Sequence, residues 1–213
     1  RWFVGGKGLD TFRSDMMKRQ DIPFIKHIDD SKIWFGNNIE IKGGVNYFLK
    51  DSSFSGKCKF NGIPYDLSKY DCIIKPCYHE IVDAVQNMES ICKLYIGRCF
   101  GMETNDNRLQ YRGDIKCYVS FLKSKDRYKF IDKYEFNEQN TFWKVITTEA
   151  AHKAFSGFGI TFIGKPNEIH TGSYISFRVK SELEANSLKS YLDTAFVNHM
   201  LSIRKISQHI NKS

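Results

Sequence analysis

The chain has 213 residues and a net charge of +8, which is enough material for one large domain or two small ones. Hydrophobic residues make up 41% and aromatic residues 15%, so the chain can bury a core, yet no run approaches the ~18 apolar residues of a membrane helix. The basic balance favours nucleic acid as a partner, because lysine and arginine bind phosphates and release counterions.

Cysteine spacing argues against a metal site. The six cysteines contain no Cys-x-x-Cys pair, and no histidine spacing completes a zinc site. We therefore expect free, mostly buried thiols in a reducing cytoplasm. No signal peptide is visible, and Arg1–Val4 is typical of the middle of a strand, so we expect a cytoplasmic fragment of a longer polypeptide.

Residues 1–60 have the pattern of the end of an α/β sheet. Leu9, Phe12 and Met16 follow helical spacing, which predicts a helix that ends near Arg19. Residues Ile22–Ile28 then predict a strand.

The stretch that follows predicts further strands of the same sheet. Ile39 and Ile41 alternate with charged residues, as in a half-buried strand, and Gly43-Gly44 then indicates a bulge or a close backbone approach. The apolar run Val45–Leu49 predicts a strand buried on both faces. A polar loop then predicts that Lys57–Phe60 returns as its hairpin partner.

The sequence pattern changes after residue 60, and residues 61–213 are predicted to form an α+β module. Helical spacing extends from His79 to Tyr95, and short strand-like runs follow between residues 115 and 179. The Ser-x-x-Glu capping box at Ser181 opens the strongest predicted helix. Its apolar residues recur every four positions: Leu188, Leu192, Phe196 and Met200.

Four segments of the chain carry a family resemblance: Arg1–Leu9 with Phe12-Arg13, Gly43–Leu49 with Phe35-Gly36 before it, Phe100–Asn105, and Ser202–Ser213. In this order they resemble the Eco57I-like adenine-specific DNA methyltransferases of bacterial restriction-modification systems. The resemblance implies that residues 1–60 are the last strands of a Rossmann-like methyltransferase sheet. It implies that residues 61–213 form a DNA target-recognition domain that ends in a long helix.

The resemblance also bears on catalysis and partners. Such enzymes hold the adenine amine with an Asn/Asp-Pro-Pro-Tyr/Phe motif and hold S-adenosylmethionine with a glycine-rich loop, and this sequence contains neither motif. We expect no catalytic residue and no cofactor in this fragment, and S-adenosylmethionine only in the full-length enzyme. The implied partners are double-stranded DNA and the upstream catalytic part of the same polypeptide, with no membrane.

Phe35 is the base-stacking candidate, since the aromatic residue before the Gly-Gly-Val strand of this family stacks on the flipped adenine. The alternative is that Phe35, beside Trp34, belongs to a core, and Gly36 stands where the family commonly has proline. Base readers are expected around Phe100-Gly101, because arginine pairs bidentately with guanine and asparagine with adenine. The candidates are Arg98, Asn105, Arg108 and Arg112.

The basic end of the last predicted helix is a candidate for phosphate contacts. A charged helix end also suits solvent and the helix dipole, so the pattern alone leaves both interpretations open. The residues concerned are Arg204, Lys205, Gln208, His209 and Lys212.

The function predicted is sequence-specific DNA recognition within an adenine-specific DNA methyltransferase or a fused restriction-modification enzyme. One alternative is a stand-alone DNA-binding specificity subunit without a catalytic domain, although that leaves the partial sheet of residues 1–60 unexplained. A second alternative is a protein-interaction module whose charge is incidental. Salt-dependent DNA binding separates this last alternative from the other two.

Overall fold

The structure is a computed structural model that describes residues 2–4, 8–39, 41, 43–119, 127–132, 138–150, 157–205 and 210. These residues form a mixed α/β architecture of five α-helices and eleven strands in three small sheets. The mixed helix-and-strand class is confirmed. The descent of the first sheet from a Rossmann-like sheet stays a prediction.

The first sheet has the order β2-β1-β3-β4. Its strands are β1 (Phe24–Ile28), β2 (Val45–Leu49), β3 (Cys58–Phe60) and β4 (Ile63–Tyr65). Strand β1 pairs antiparallel with β2 on one side and parallel with β3 on the other. The predicted hairpin between β2 and β3 is therefore wrong, because β1 lies between them, and β3 forms its hairpin with β4.

Asn61 and Gly62 make the turn of the β3–β4 hairpin. Both have positive φ angles, 50° and 87°, which two-residue hairpin turns require. The Asn61 side chain accepts a hydrogen bond from the His27 backbone N–H at 2.8 Å and donates one to the His27 carbonyl at 3.1 Å. The sheet therefore continues to Tyr65, past the predicted boundary at residue 60, while the division into domains stays a prediction.

One face of this sheet packs on helix α1 (Asp10–Met17) and on the segment before it. Strand β1 alternates as expected for a strand with one buried face, with Ile25 and His27 buried. Helix α1 confirms the helix predicted from Leu9, and it buries Met16 and Met17 against the sheet. The same core includes Trp2, Phe3, Cys58, Phe60 and Tyr65.

The strand predicted at Ile39 and Ile41 is absent from the described residues, which place both side chains in solvent. The buried Ser31 hydroxyl donates to the Ile39 carbonyl at 3.2 Å and accepts from the Ile41 N–H at 2.8 Å. The Ser31 hydroxyl thus forms hydrogen bonds with two backbone groups that a neighbouring strand would otherwise have paired. Of the two alternatives at Gly43-Gly44, a bulge or a close backbone approach, the structure shows a close approach at Gly44, since a Cβ there would lie 2.3 Å from the Ile28 carbonyl oxygen.

Strand β2 forms as predicted, but its predicted burial on both faces is wrong. Within the described part of the chain it pairs with β1 alone and lies at the edge of the sheet. Tyr47, Phe48 and Leu49 keep 45%, 38% and 46% of their surface exposed. An apolar run indicates strand, but the number of neighbours decides how much of it is covered.

Two further sheets form the rest of the structure, in the orders β10-β6-β7 and β5-β11-β8-β9. The second of them is built on β11, which pairs along its whole length with β8 and also with β5. The strands are β5 (Tyr95–Gly97), β6 (Ile115–Tyr118), β7 (Tyr128–Ile131), β8 (Trp143–Thr148), β9 (Thr161–Gly164), β10 (Ile169–His170) and β11 (Tyr174–Val179).

The long terminal helix predicted from the sequence is two helices, α4 (Glu182–Leu192) and α5 (Ala195–Arg204). The Ser181 hydroxyl accepts from the Glu184 N–H at 3.2 Å and begins α4, which confirms the predicted cap. Thr194 then accepts from the Val197 N–H at 3.3 Å and begins α5. The helix predicted to extend from His79 to Tyr95 is also shorter, since α3 (His79–Val85) ends a turn before the exposed Met88.

Helix α5 packs on the segment that follows the first sheet. Met200 and Ile203 contact a small core formed by Cys72, Ile74 and Val82. This contact connects α5 to the segment that follows the first sheet, and it orients the C-terminal end of α5.

Candidate nucleic-acid interface

A cavity of about 310 Å³ lies between the loop after β5 and the turn after β10. The Gly172 N–H donates to the Met102 carbonyl at 2.7 Å, and the hydroxyls of Thr104 and Ser173 are 2.6 Å apart. These bonds hold the two loops together. The residues around the cavity are Arg98, Phe100, Gly101, Met102, Glu103, His170, Thr171 and Gly172.

The floor of the cavity is formed by two buried rings, those of Phe100 and His170. Phe100 is buried and its ring meets the His170 imidazole edge-on, with 4.8 Å between centroids. His170 Nδ1 lies 2.9 Å from the Thr171 carbonyl and therefore donates, so Nε2 accepts from the Ser176 hydroxyl at 2.9 Å. Burial lowers the pKa of His170 to about 4, which keeps this histidine uncharged at neutral pH.

Lys144 supports the floor from below. Its side chain is fully buried, and its ammonium donates to the carbonyls of Lys165 and Glu168, both at 2.9 Å. Burial lowers the pKa of Lys144 to about 8. The ammonium lies 5.8 Å from the centroid of the Phe100 ring. This lysine therefore fixes the turn before β10 and is not available to a ligand.

The rim of the cavity carries two charges of opposite sign. Arg98 and Glu103 are both exposed, and within the described residues neither side chain makes a hydrogen bond or an ion pair. Both lie beside Gly172, since a Cβ there would be 3.4 Å from Glu103 Oε2 and 3.6 Å from Arg98 Cδ. A free guanidinium can donate to guanine or to a phosphate, and a free carboxylate can accept from the cytosine amine.

The backbone explains why Arg98 faces outward while Phe100 faces inward. Gly97 and Gly101 have φ angles of 64° and 62°, a region that favours glycine, so the chain turns on both sides of this segment. The sequence pointed to this loop through Arg98. It contained no signal for residues 170–172, because they come from a distant part of the chain.

The other predicted base readers lie on the loop between β5 and β6. Asn105 and Arg112 are exposed, and their side chains make no hydrogen bond or ion pair with any described residue. Arg108 differs, since its guanidinium donates to both carboxylate oxygens of Asp106, at 2.9 and 2.7 Å. This contact lowers the pKa of Asp106 to about 2, so Arg108 is held within its own turn.

Of the residues predicted to contact phosphates at the end of α5 and beyond it, the two that the structure describes are less available to DNA than Arg98. Arg204 donates to both carboxylate oxygens of Asp71, at 3.2 and 2.7 Å. Lys205 is buried, with its ammonium 3.4 Å from the Gly157 carbonyl, which disagrees with a phosphate contact in this conformation. The remaining members of the group lie outside the described residues: Gln208, His209 and Lys212.

Phe35 lies on the short helix α2 (Lys32–Phe35) and is 49% exposed, so the alternative that it belongs to a core is wrong. Its ring makes no contact with another ring of the described structure, and Gly36 ends the helix with a φ of 75°. Trp34 is 58% exposed and lies 5.7 Å from the Tyr47 ring. Phe35 is therefore accessible to a base.

That this chain holds no S-adenosylmethionine stays a prediction. Strand β1 leads directly into α2, and β11 leads directly into α4, but neither connection contains a glycine. Residues 5–7 of the glycine-rich segment Gly5–Gly8 lie outside the described structure. In the part of the chain described here, no three His, Cys, Asp or Glu side chains are grouped as metal ligands, and no helix has the length and hydropathy to cross a membrane.

Comparison with known proteins gives no family match and no match among curated proteins. The methyltransferase resemblance therefore depends on its four segments alone and enters the function as a proposal.

Proposed function

We propose that this chain recognises DNA sequence within an adenine-specific DNA methyltransferase or a fused restriction-modification enzyme. The observation that carries the proposal is the exposed guanidinium of Arg98, which makes no hydrogen bond or ion pair with any described residue and lies at the rim of a cavity floored by Phe100 and an uncharged His170. A net charge of +8 supplies the non-specific attraction to phosphates that such recognition needs.

Arg98 is assigned to a base edge because hydrogen bonds join its loop to the turn after β10. An arginine that reads guanine must present its two donors at a fixed position, and flanking turns together with a packed floor hold the loop in place. Glu103, on the same rim, is assigned to the partner base, since its carboxylate can accept from the cytosine amine. A guanine–cytosine pair would therefore contact both Arg98 and Glu103.

Other residues of the loop extend the same surface. Asn105 and Arg112 are exposed and free within the described residues, so they are assigned to neighbouring bases or phosphates. Arg108 positions the loop through Asp106 and is not assigned to a base.

Phe35 is assigned to a base that has left the duplex, as the family resemblance implies. Its exposed ring offers a π-face to any base, a contact worth ~1–3 kcal/mol. Residues 1–60 supply no catalytic group in this proposal, and methyl transfer belongs to the upstream part of the polypeptide.

Selection from random-sequence DNA tests the proposal and identifies the target in the same experiment. The chain is incubated with a pool of random-sequence duplexes at moderate salt, and the bound fraction is sequenced over several rounds. Enrichment of one motif that contains a guanine–cytosine pair is the expected result. Salt-dependent binding without any enriched motif would contradict sequence recognition, and the absence of salt-dependent binding would favour the protein-interaction alternative.

A further inference from the structure

The outer face of the first sheet is an exposed aromatic surface, far in sequence from Arg98. Cross-strand pairs share a face in an antiparallel sheet, and β1 pairs Phe24 with Leu49 and Lys26 with Tyr47. Lys59 of β3 lies beside Phe24 and opposite Pro64 of β4, on the same side. We call this surface the outer face; it comprises Phe24, Lys26, Ile28, Val45, Tyr47, Leu49, Lys59 and Pro64.

Three rings form a row on and beside the outer face. The Tyr47 ring lies 6.1 Å from the Phe24 ring and 5.7 Å from the Trp34 ring. Their exposed fractions are 45%, 37% and 58%, so each presents ring surface to solvent. Contiguous exposed apolar patches mark interaction sites on protein surfaces.

The charge on the outer face is positive only. Lys26 is the cross-strand partner of Tyr47, and Lys59 is the cross-strand neighbour of Phe24, so each lysine is adjacent to an aromatic residue on the same face. Both lysines are exposed, and neither ammonium has a hydrogen bond or an ion pair among the described residues. The strand residues of this face include no carboxylate. A purely apolar partner surface would bury both ammonium groups without an opposite charge or a hydrogen-bond acceptor.

Proteins bind single-stranded nucleic acid on surfaces that combine exposed aromatic rings with nearby cations, since the bases stack on the rings and the phosphates contact the cations. We propose that the outer face binds single-stranded DNA, with bases on Tyr47, Trp34 and Phe24 and phosphates at Lys26 and Lys59. The choice of DNA over RNA rests on the proposed function. The surface itself is argued from its own residues and does not depend on Arg98.

The test uses Trp34 as the reporter. It is the most exposed of the three tryptophans, since Trp2 is buried and Trp143 is half-buried. Oligothymidylate should quench the tryptophan fluorescence of the wild-type chain, and the quenching should disappear in Trp34→Phe while binding by anisotropy remains. Quenching that persists in Trp34→Phe, or no binding of oligothymidylate, would overturn the proposal.

Two kinds of variant separate stacking from charge. Tyr47→Ile keeps a residue suited to an edge strand and removes the ring, so affinity should fall roughly 5- to 150-fold. Lys26→Gln or Lys59→Gln should reduce the slope of log affinity against log salt by about 0.7 each. Lys180→Gln, an equal loss of charge outside the sheet, is the control and should leave the slope unchanged. A Lys180 variant that weakens binding as much as Lys26→Gln would contradict the proposal.

Further measurements distinguish single-stranded DNA from other possible occupants of the outer face. Tighter binding of oligouridylate than of oligothymidylate would overturn the assignment to DNA. Self-association in sedimentation that Tyr47→Ile abolishes and oligothymidylate leaves unchanged would assign the outer face to a second copy of the chain. The proposed function fails separately, because it requires selective duplex binding that depends on Arg98.

Discussion

The guanidinium of Arg204 donates to both carboxylate oxygens of Asp71, at distances of 2.7 and 3.2 Å. This ion pair connects the last turn of α5 to the segment that follows the first sheet. It also uses the donors that a phosphate would need, which is why Arg204 is a weaker candidate for DNA contact than Arg98.

The Arg204–Asp71 pair should show a small coupling in a double-mutant cycle. Both side chains are partly exposed, so solvent screens the attraction, and the expected coupling is ~0.2–1 kcal/mol of unfolding free energy. Arg204→Gln, Asp71→Asn and the double variant are compared by urea denaturation. Strict additivity of the two single effects would show that the pair does not stabilise this contact.

Gly44 should be far less tolerant of a side chain than Gly62. Both have positive φ angles, 72° and 87°, but a Cβ at Gly44 would lie 2.3 Å from the Ile28 carbonyl oxygen, whereas nothing lies within 4 Å at Gly62. Gly62→Ala is expected to cost about 1–2 kcal/mol from the φ angle alone. Gly44→Ala adds a backbone clash, worth roughly 1–3 kcal/mol more. Equal losses in thermal or urea denaturation would contradict the close approach.

His170 should make stability fall with acid. Its pKa in the folded chain is about 4, below the ordinary value of 6.5, so the unfolded chain binds the proton first. Between pH 6.5 and 4 the unfolded state therefore holds more protons, and the contribution reaches about 3 kcal/mol at pH 4. Urea denaturation at several pH values should show a shallower decline in His170→Gln than in the wild type. An unchanged slope would indicate that His170 titrates normally.

This chain alone should not bind S-adenosylmethionine or methylate DNA. The motivation is the missing amine-holding motif and the absence of glycine from the two strand-to-helix connections described here. Isothermal titration with the cofactor should give no binding heat. Binding at micromolar affinity, or methyl transfer to DNA, would contradict this expectation.

Local pattern predicted several elements correctly, because their signals lie in neighbouring residues. The spacing after Leu9 predicted α1, the run Ile22–Ile28 predicted β1, and Ser181 predicted the start of α4. The glycine pair also indicated either a bulge or a close backbone approach, and the structure shows the close approach at Gly44.

Pairing and burial could not be predicted in the same way. Nothing in Val45–Leu49 indicates that β1, not β3, would be its neighbour, or that the strand would lie at an edge. The four-residue apolar repeat passes through Thr194, yet the threonine hydroxyl caps a new helix there. The spacing of apolar residues predicts which face of a helix is buried. It does not reveal a break between two helices when the spacing continues across the break.

The candidate interface was predicted only in part for a similar reason. Glu103 lies in the segment Phe100–Asn105 that the family resemblance singled out, and Arg98 lies two residues before it, whereas the opposite side of the cavity comes from residues near His170. The burial of Lys205 depends on the packing of α5, which its own basic neighbours do not reveal.

The sharpest test of sequence reading by Arg98 measures the binding of its variants to the duplex that the selection enriches and to a scrambled duplex, at several salt concentrations. Arg98→Ala should lose about 1–3 kcal/mol of discrimination at one base pair and little affinity for the scrambled duplex. Arg98→Lys should retain the charge but not the bidentate contact, and Lys180→Gln should keep full discrimination. An equal loss on both duplexes would make Arg98 a phosphate contact and would contradict sequence reading at this site.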